Sequence, residues 1–495
     1  MAGIKSLAKD TAVYGLSSIV GRFLNWLLVP LYTTVFATGE YGIVTYIYSI
    51  VAVALIVLTY GMETGFFRFA NHEQGYAPRR VYTTAMLSLA ATSGAFIVVL
   101  LLFLPPVARA LDCADHPSYI WMMAVAVALD AVTSIPFAWL RYEGRALRFA
   151  TLKLIGIALN IGFNLWFILL CPWLMQQAPD VVSWCYVPGY GIGYIFLANL
   201  ISSAGVTLLL IPELRGFEWR FDRELWRRMV VYSFPLLILG LAGVMNQSID
   251  KILLPALVPD KADAMQQLGI YGANYKIAVV MVMFIQAFRF AYEPFIFSQH
   301  KGEGGNKMQA YSAAMKYFVV FAMFIFLGVM FYLDVLRYFI SPRYFSGLRV
   351  VPIIMIAELF FGIFFNLSVW YKLTDRTIWG TWFALAGLGV TIALNVALVP
   401  RMGYMGCAWA ALCCYGVMMT LSWAVGRVKY PIPYELGRIA LYFFGALALY
   451  GLSVVVTTGC QWLDMGVRTI LLLLYAAAAL RFEHIKLPVA RFKRL

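Results

Sequence analysis

The sequence predicts an all-α integral membrane protein of about fourteen transmembrane helices, and three observations carry that prediction. Of 495 residues, 62% are hydrophobic and only 13% charged, with a mean hydropathy of +0.80. Apolar runs of about 20 residues, the length that crosses a bilayer's hydrocarbon, recur from one end to the other. The basic residues gather in short clusters between those runs, as in cytoplasmic loops, so the formal charge of +14 does not imply a nucleic-acid partner.

Taken in order, the spans fall near 11–36, 41–67, 81–105, 118–140, 149–171 and 188–211 in a first half (1–211). The opening one follows Lys5 and Lys9 and is too long and too interrupted for a signal-peptide core, so it reads as retained. The largest polar insertion, "IPELRGFEWRFDRELWRRM" (211–229), marks a cytoplasmic linker at 212–228. A second half (229–427) holds spans near 229–256, 269–299, 310–336, 350–371, 378–400 and 404–426. Spans near 438–458 and 464–481 follow, and a basic tail (482–495) ending "ARFKRL" reads as an anchor at the cytoplasmic face. With the amino terminus inside, 27 of the 38 Lys and Arg fall in cytoplasmic segments and seven outside, while Arg22, Lys251, Lys276 and Arg289 lie within spans. That bias places both termini in the cytoplasm, across an even number of spans.

The halves echo each other. "EYGIVTYIY" (40–48) is matched by "IYGANYKIA" (270–278), and at a fixed offset of 230 residues Tyr41, Gly42 and Glu63 meet Tyr271, Gly272 and Glu293. "WLRYEGR" (139–145) is matched by "WYKLTDR" (370–376), then "LNI" (159–161) by "LNV" (394–396). Three pairs in one order indicate two six-helix halves of like orientation, an arrangement in which transporters place the substrate site between repeats.

The opening "KDTAVYGLSSIVGRFLNWLLVPLYTTVFATGEYGIVTY", the seventh-span "YSFPLLILGLAGVMNQSIDKILLPAL" and the following "LGIYGANYKIA" resemble the polysaccharide-unit (O-antigen and capsule) flippases of the multidrug/oligosaccharidyl-lipid/polysaccharide superfamily. The resemblance implies two MATE-like six-helix bundles around a central cavity, plus two extra helices, in the bacterial cytoplasmic (inner) membrane. It implies a multi-pass carrier of undecaprenyl-diphosphate-linked oligosaccharide working by alternating access, with a polysaccharide polymerase and its chain-length machinery as candidate partners. Lipid II flippases and cation-coupled multidrug exporters share that architecture and stand as alternatives.

Charges buried in spans are the candidate site, because a charge deep in a bilayer costs several kcal/mol and usually faces a protein interior or watery cavity. Arg22, Arg289, Lys276 and Lys251 are candidates for the substrate diphosphate, arginine offering it a planar fork of donors. Asn25, Asp250, Glu63, Asp130, Glu293 and Glu358 are cavity or coupling candidates for H+ or Na+ linkage. For the carboxylates, neutralising a nearby arginine is the commoner role. Asp250 and Lys251 are adjacent on a helix and share no face, so Asp250 is expected to reach a cation on another helix. Trp26, Tyr46, Tyr271 and Tyr275 are candidates for stacking on sugar rings, against the commoner fate of belts and packing. Pro30, Pro136, Pro235, Pro255 and Pro294 permit kinks.

The remaining motifs narrow the function further. There is no G-x-x-x-x-G-K-[ST] loop for ATP, and seven scattered cysteines and four histidines show no metal or triad spacing. No cofactor is expected. A membrane glycan polymerase would carry a catalytic constellation in a large outer loop, whereas "CPWLMQQAPDVVSWCYVP" (171–188) offers only Asp180, so the expectation is a carrier and not an enzyme.

Overall fold

A computed structural model describes residues 15, 19–71, 75–215, 219–301, 307–456 and 459–483, with 291, 293–295 and 297–301 described as backbone only. Among the described residues thirteen helices are long and apolar enough to cross a membrane, and a shorter apolar helix, Ile19–Val35, stands at the expected first span. These are α1 (Ile19–Val35), α2 (Thr38–Ala70), α3 (Pro78–Leu102), α4 (Pro117–Tyr142), α5 (Ala146–Gln177), α6 (Gly193–Leu214) and α7 (Arg223–Leu257). They continue with α8 (Lys261–Lys301), α9 (Lys307–Phe331), α10 (Pro342–Leu373), α11 (Ile378–Met402), α12 (Tyr404–Lys429), α13 (Leu436–Val455) and α14 (Gln461–Phe482). The all-helical, membrane-spanning architecture is therefore as the hydropathy predicts. The basic tail from residue 484 lies outside the described residues.

Backbone chemistry shapes individual spans. In α1 the amides of Leu27 and Leu28 turn back to Leu24 and Asn25, tightening the helix two residues before Pro30, whose ring has no N–H to continue the ladder. α2 breaks at Tyr60 and Gly61, both in left-handed backbone, with φ of 31° and 71°. In α5, Trp166–Leu170 form a π turn, a local widening of the helix.

Compactness divides the chain at places other than the 211–229 linker. One unit comprises Met1–Ala273 and Ala384–Ala411, the other Asn274–Phe383 and Leu412–Leu495. The first unit takes in α7 because α7 packs along α2: Ser233 donates to the Gly61 carbonyl at 3.2 Å, and Arg68 lies 4.1 Å from the Tyr232 ring centre. It takes in the start of α8 because two glycines let backbones meet. A methyl group on Gly42 would sit 1.9 Å from the Met265 carbonyl oxygen, and one on Gly269 would sit 1.8 Å from that of Thr38. Gly272 likewise faces Thr45. The register runs in the same direction on both helices, so the echoed Tyr-Gly segments lie side by side in parallel.

Each unit has an aromatic core. In the first, Phe66, Tyr82 and Trp139 pack edge to face with Met62, Ile135 and Met229 around them. In the second, Trp370 packs against Tyr371, Trp379 and Phe383. The tryptophans of the two echoed motifs are thus anchors at the ends of α4 and α10.

Within the second unit, α13 and α14 are tied to α9. Lys316, 5% exposed, pairs with Glu435 at 3.0 Å and with Glu483 at 2.6 Å. At the opposite end of α14, Arg468 pairs with Asp334 at 2.6 Å and Tyr332 shares a hydrogen bond with Thr469.

Candidate functional site

In the first unit, a polar ladder joins α1 to α5. Asn160 donates its amide to Asn25 at 3.1 Å, Tyr32 donates to Asn164 at 2.8 Å, and Asn164 donates back to the Asn160 carbonyl at 2.7 Å. Below the ladder, α1 comes so close to α5 that a methyl on Gly21 would lie 2.6 Å from Ile157. Helical spacing puts Arg22 and Asn25 on one face of α1, and both side chains are exposed. Trp26 stacks on Phe23 with ring centres 5.8 Å apart. The sequence reading had Asn160 only as half of a repeat echo and missed Asn164. Period-3.6 spacing of amides facing a span with its own Arg and Asn was the available signal.

Asp250 departs from expectation. Its cation is not on another helix: the Lys251 ammonium folds back to it at 3.1 Å and also donates to the Gln247 carbonyl at 2.7 Å. The flexible four-carbon stem overcomes the angular offset between adjacent residues. Tyr271, fully buried, donates to the same carboxylate at 2.7 Å. That ring presents no face to a sugar in this structure.

Glu63 takes the bland role anticipated for it, accepting from Arg141 at the end of α4, while the Arg141 guanidinium lies 5.1 Å from the Phe67 ring centre. Asp130 in α4 lies near Ser203 in α6 and stands in the electrostatic reach of Lys153 in α5. The sequence count assigned Lys153 and Lys316 to cytoplasmic segments, but both lie well inside helices, α5 and α9. Tyr46 is half-buried in α2 near Asp112.

The second unit holds the remaining candidates. Arg289 in α8 and Lys372 at the end of α10 share one ring, at 4.3 and 4.4 Å from the centre of Phe365. Tyr275 donates to the buried Glu358, and Lys276 is exposed. The Glu293 side chain lies outside the described residues. Among the described residues, no three His, Cys, Asp or Glu side chains gather as a metal site.

Solved membrane proteins share this helical fold. It is similar to a lipid II flippase MurJ in an inward closed conformation, with a TM-score of 0.73 at 13% identity over 96% of this chain and 99% of that one. A multidrug resistance MATE family transporter in an inward-facing conformation gives 0.66 at 11% identity, covering 88% and 98%, and a MATE in the straight conformation gives 0.58 at 12%, covering 88% and 96%. By sequence, residues 7–300 match the model of the polysaccharide biosynthesis protein family, and the chain belongs to that family. No curated protein matches the chain by sequence.

Proposed function

We propose that the chain is a flippase for oligosaccharide units carried on a polyprenyl diphosphate, moving them across the bacterial cytoplasmic membrane with both of its own termini inside. The observation that carries the reading is Arg22: a permanent cation, exposed within an apolar helix that is held in register against α5 by Asn25–Asn160 and Tyr32–Asn164. An arginine so placed supplies charge-assisted donors to phosphate oxygens, the strongest polar recognition in a partly dry site. Arg289, Lys372 and Lys276 give the second unit cations of its own. Family membership supports a role in polysaccharide assembly, with a polymerase acting on the delivered unit.

Lipid II-type precursors are the second reading, favoured by the likeness to MurJ; they share the diphosphate. Coupling to H+ or Na+ would fall to Asp130, Asp250 or Glu358. The test is transport of a fluorescent polyprenyl-diphosphate oligosaccharide into proteoliposomes. Arg22→Ala is expected to abolish it with normal protein in the membrane, and Arg22→Lys to restore part of it. Undiminished transport by Arg22→Ala would remove the phosphate role.

A further inference from the structure

Deeper in the first unit, the cations form a series. Arg141 ends α4, and Phe137 lies one helical turn, about 6 Å, further along the same face. The Lys153 ammonium rests 3.9 Å from the centre of the Phe137 ring. Ile157 follows Lys153 by another turn of about 6 Å on α5, and it is against Ile157 that Gly21, the neighbour of Arg22, is packed. Arg141, Lys153 and Arg22 therefore follow one another in depth along α4, α5 and α1, with Lys153 in the electrostatic reach of Arg141.

The first two carry opposed carboxylates. Glu63 pairs with Arg141 directly. Lys153 closes no ion pair among the described residues; Asp130 is in electrostatic reach, and the ammonium caps an aromatic face instead. Asp130 and Lys153 are both solvent-accessible. A wholly structural ion pair would close, since a charge in a membrane is costly until compensated. An accessible lysine whose counter-ion is near but not bonded is arranged to accept a second anion.

Resting on the diphosphate reading above, we propose that Lys153 is a further substrate-binding residue, the middle step between Arg141 and Arg22, and that Asp130 is a competing anion that keeps its hold on the diphosphate loose. Movement through a membrane requires sites favourable enough to enter and weak enough to leave. Glu63 at Arg141 and Asp130 at Lys153 supply that weakness in turn.

The experiment is calorimetric binding of farnesyl diphosphate to the purified full-length protein, with inorganic pyrophosphate as a probe lacking a tail. Lys153→Ala is expected to weaken binding about tenfold, the loss of one charge-assisted contact, with Lys153→Arg restoring it. Asp130→Asn, which removes the charge and keeps the shape of the side chain, is expected to tighten binding severalfold and to slow transport. If Lys153→Ala binds as the unaltered protein does while Arg22→Ala loses affinity, Lys153 is no substrate residue and the diphosphate reading stands. If Asp130→Asn weakens binding, the two are a structural tie and the proposal is overturned; this variant decides alone should Lys153→Ala fail to fold. If the unaltered protein binds neither probe, the diphosphate reading itself fails, and the proposal with it.

Discussion

Asn160 and Asn25 join two helices 135 residues apart in sequence through one amide–amide hydrogen bond of 3.1 Å. The bond sits one turn from Arg22, on the face of α1 that the arginine shares.

Asn160→Ala is expected to act on Arg22 through this bond. One neutral hydrogen bond is worth about 1 kcal/mol, so the melting temperature should fall only slightly. Transport should fall far more than stability does, and a variant with unchanged transport would show that the bond positions nothing.

The crossing of α2 and α8 should tolerate no side chain. With backbone oxygens at 1.9 and 1.8 Å from the methyl positions of Gly42 and Gly269, even Gly42→Ala forces the helices apart, at a cost of about 1–3 kcal/mol typical of overpacking. Gly42→Leu is expected to abolish accumulation of folded protein, read by fluorescence-detected size exclusion. Gly94, with nothing near its methyl position, is the control.

Lys316 and Glu483 form a buried pair, 6% and 2% exposed at the side chain. Lys316→Ala takes from Glu483 its closest cation and leaves it Arg438 at 3.8 Å and a hydrogen bond from Tyr442, so the cost should fall toward the lower end of the about 3–5 kcal/mol that breaking a buried pair carries. Adding Glu483→Gln should recover much of the loss. Thermal stability in detergent measures both, and equal melting of the single and double variants would show that the pair is not coupled.

Two native cysteines should label differently. Cys113 lies between α3 and α4, and its thiol is pushed up to about 11 by burial first and the neighbouring Asp112 second. A raised pKa means little thiolate near pH 8, so maleimide should react slowly there and faster as the pH approaches 11. Cys460 is exposed and should react readily. The charge bias places both on the outer face, so labelling of Cys460 from the cytoplasmic side alone would reverse the proposed orientation.

Hydropathy made the spans legible, because the cost of exposing polar backbone to lipid leaves so few alternatives to a long apolar helix. The small residues at the α2–α8 crossing were legible only as an echo, since sequence shows a glycine but not the oxygen it admits. Partners were the least readable. Lys153 and Lys316 lie inside α5 and α9, where a hydropathy sum absorbs one charge without notice, and the counter-ions of Lys316 come from 119 and more positions later in the sequence. Asp250 failed for the opposite reason: angular spacing along a helix ignores how far a lysine stem can fold. The unit boundaries were hidden too, because α7 follows the linker in sequence but packs along α2.

The tie between Lys316 and its carboxylates also has a bearing on biogenesis. Glu435 is made 119 residues after Lys316, and Glu483 later still. When α9 leaves the ribosome, its lysine enters the bilayer without either of them. The ninth helix thus waits on residues 435 and 483 for its charge balance, and a chain that stops before them leaves the Lys316 ammonium without either carboxylate.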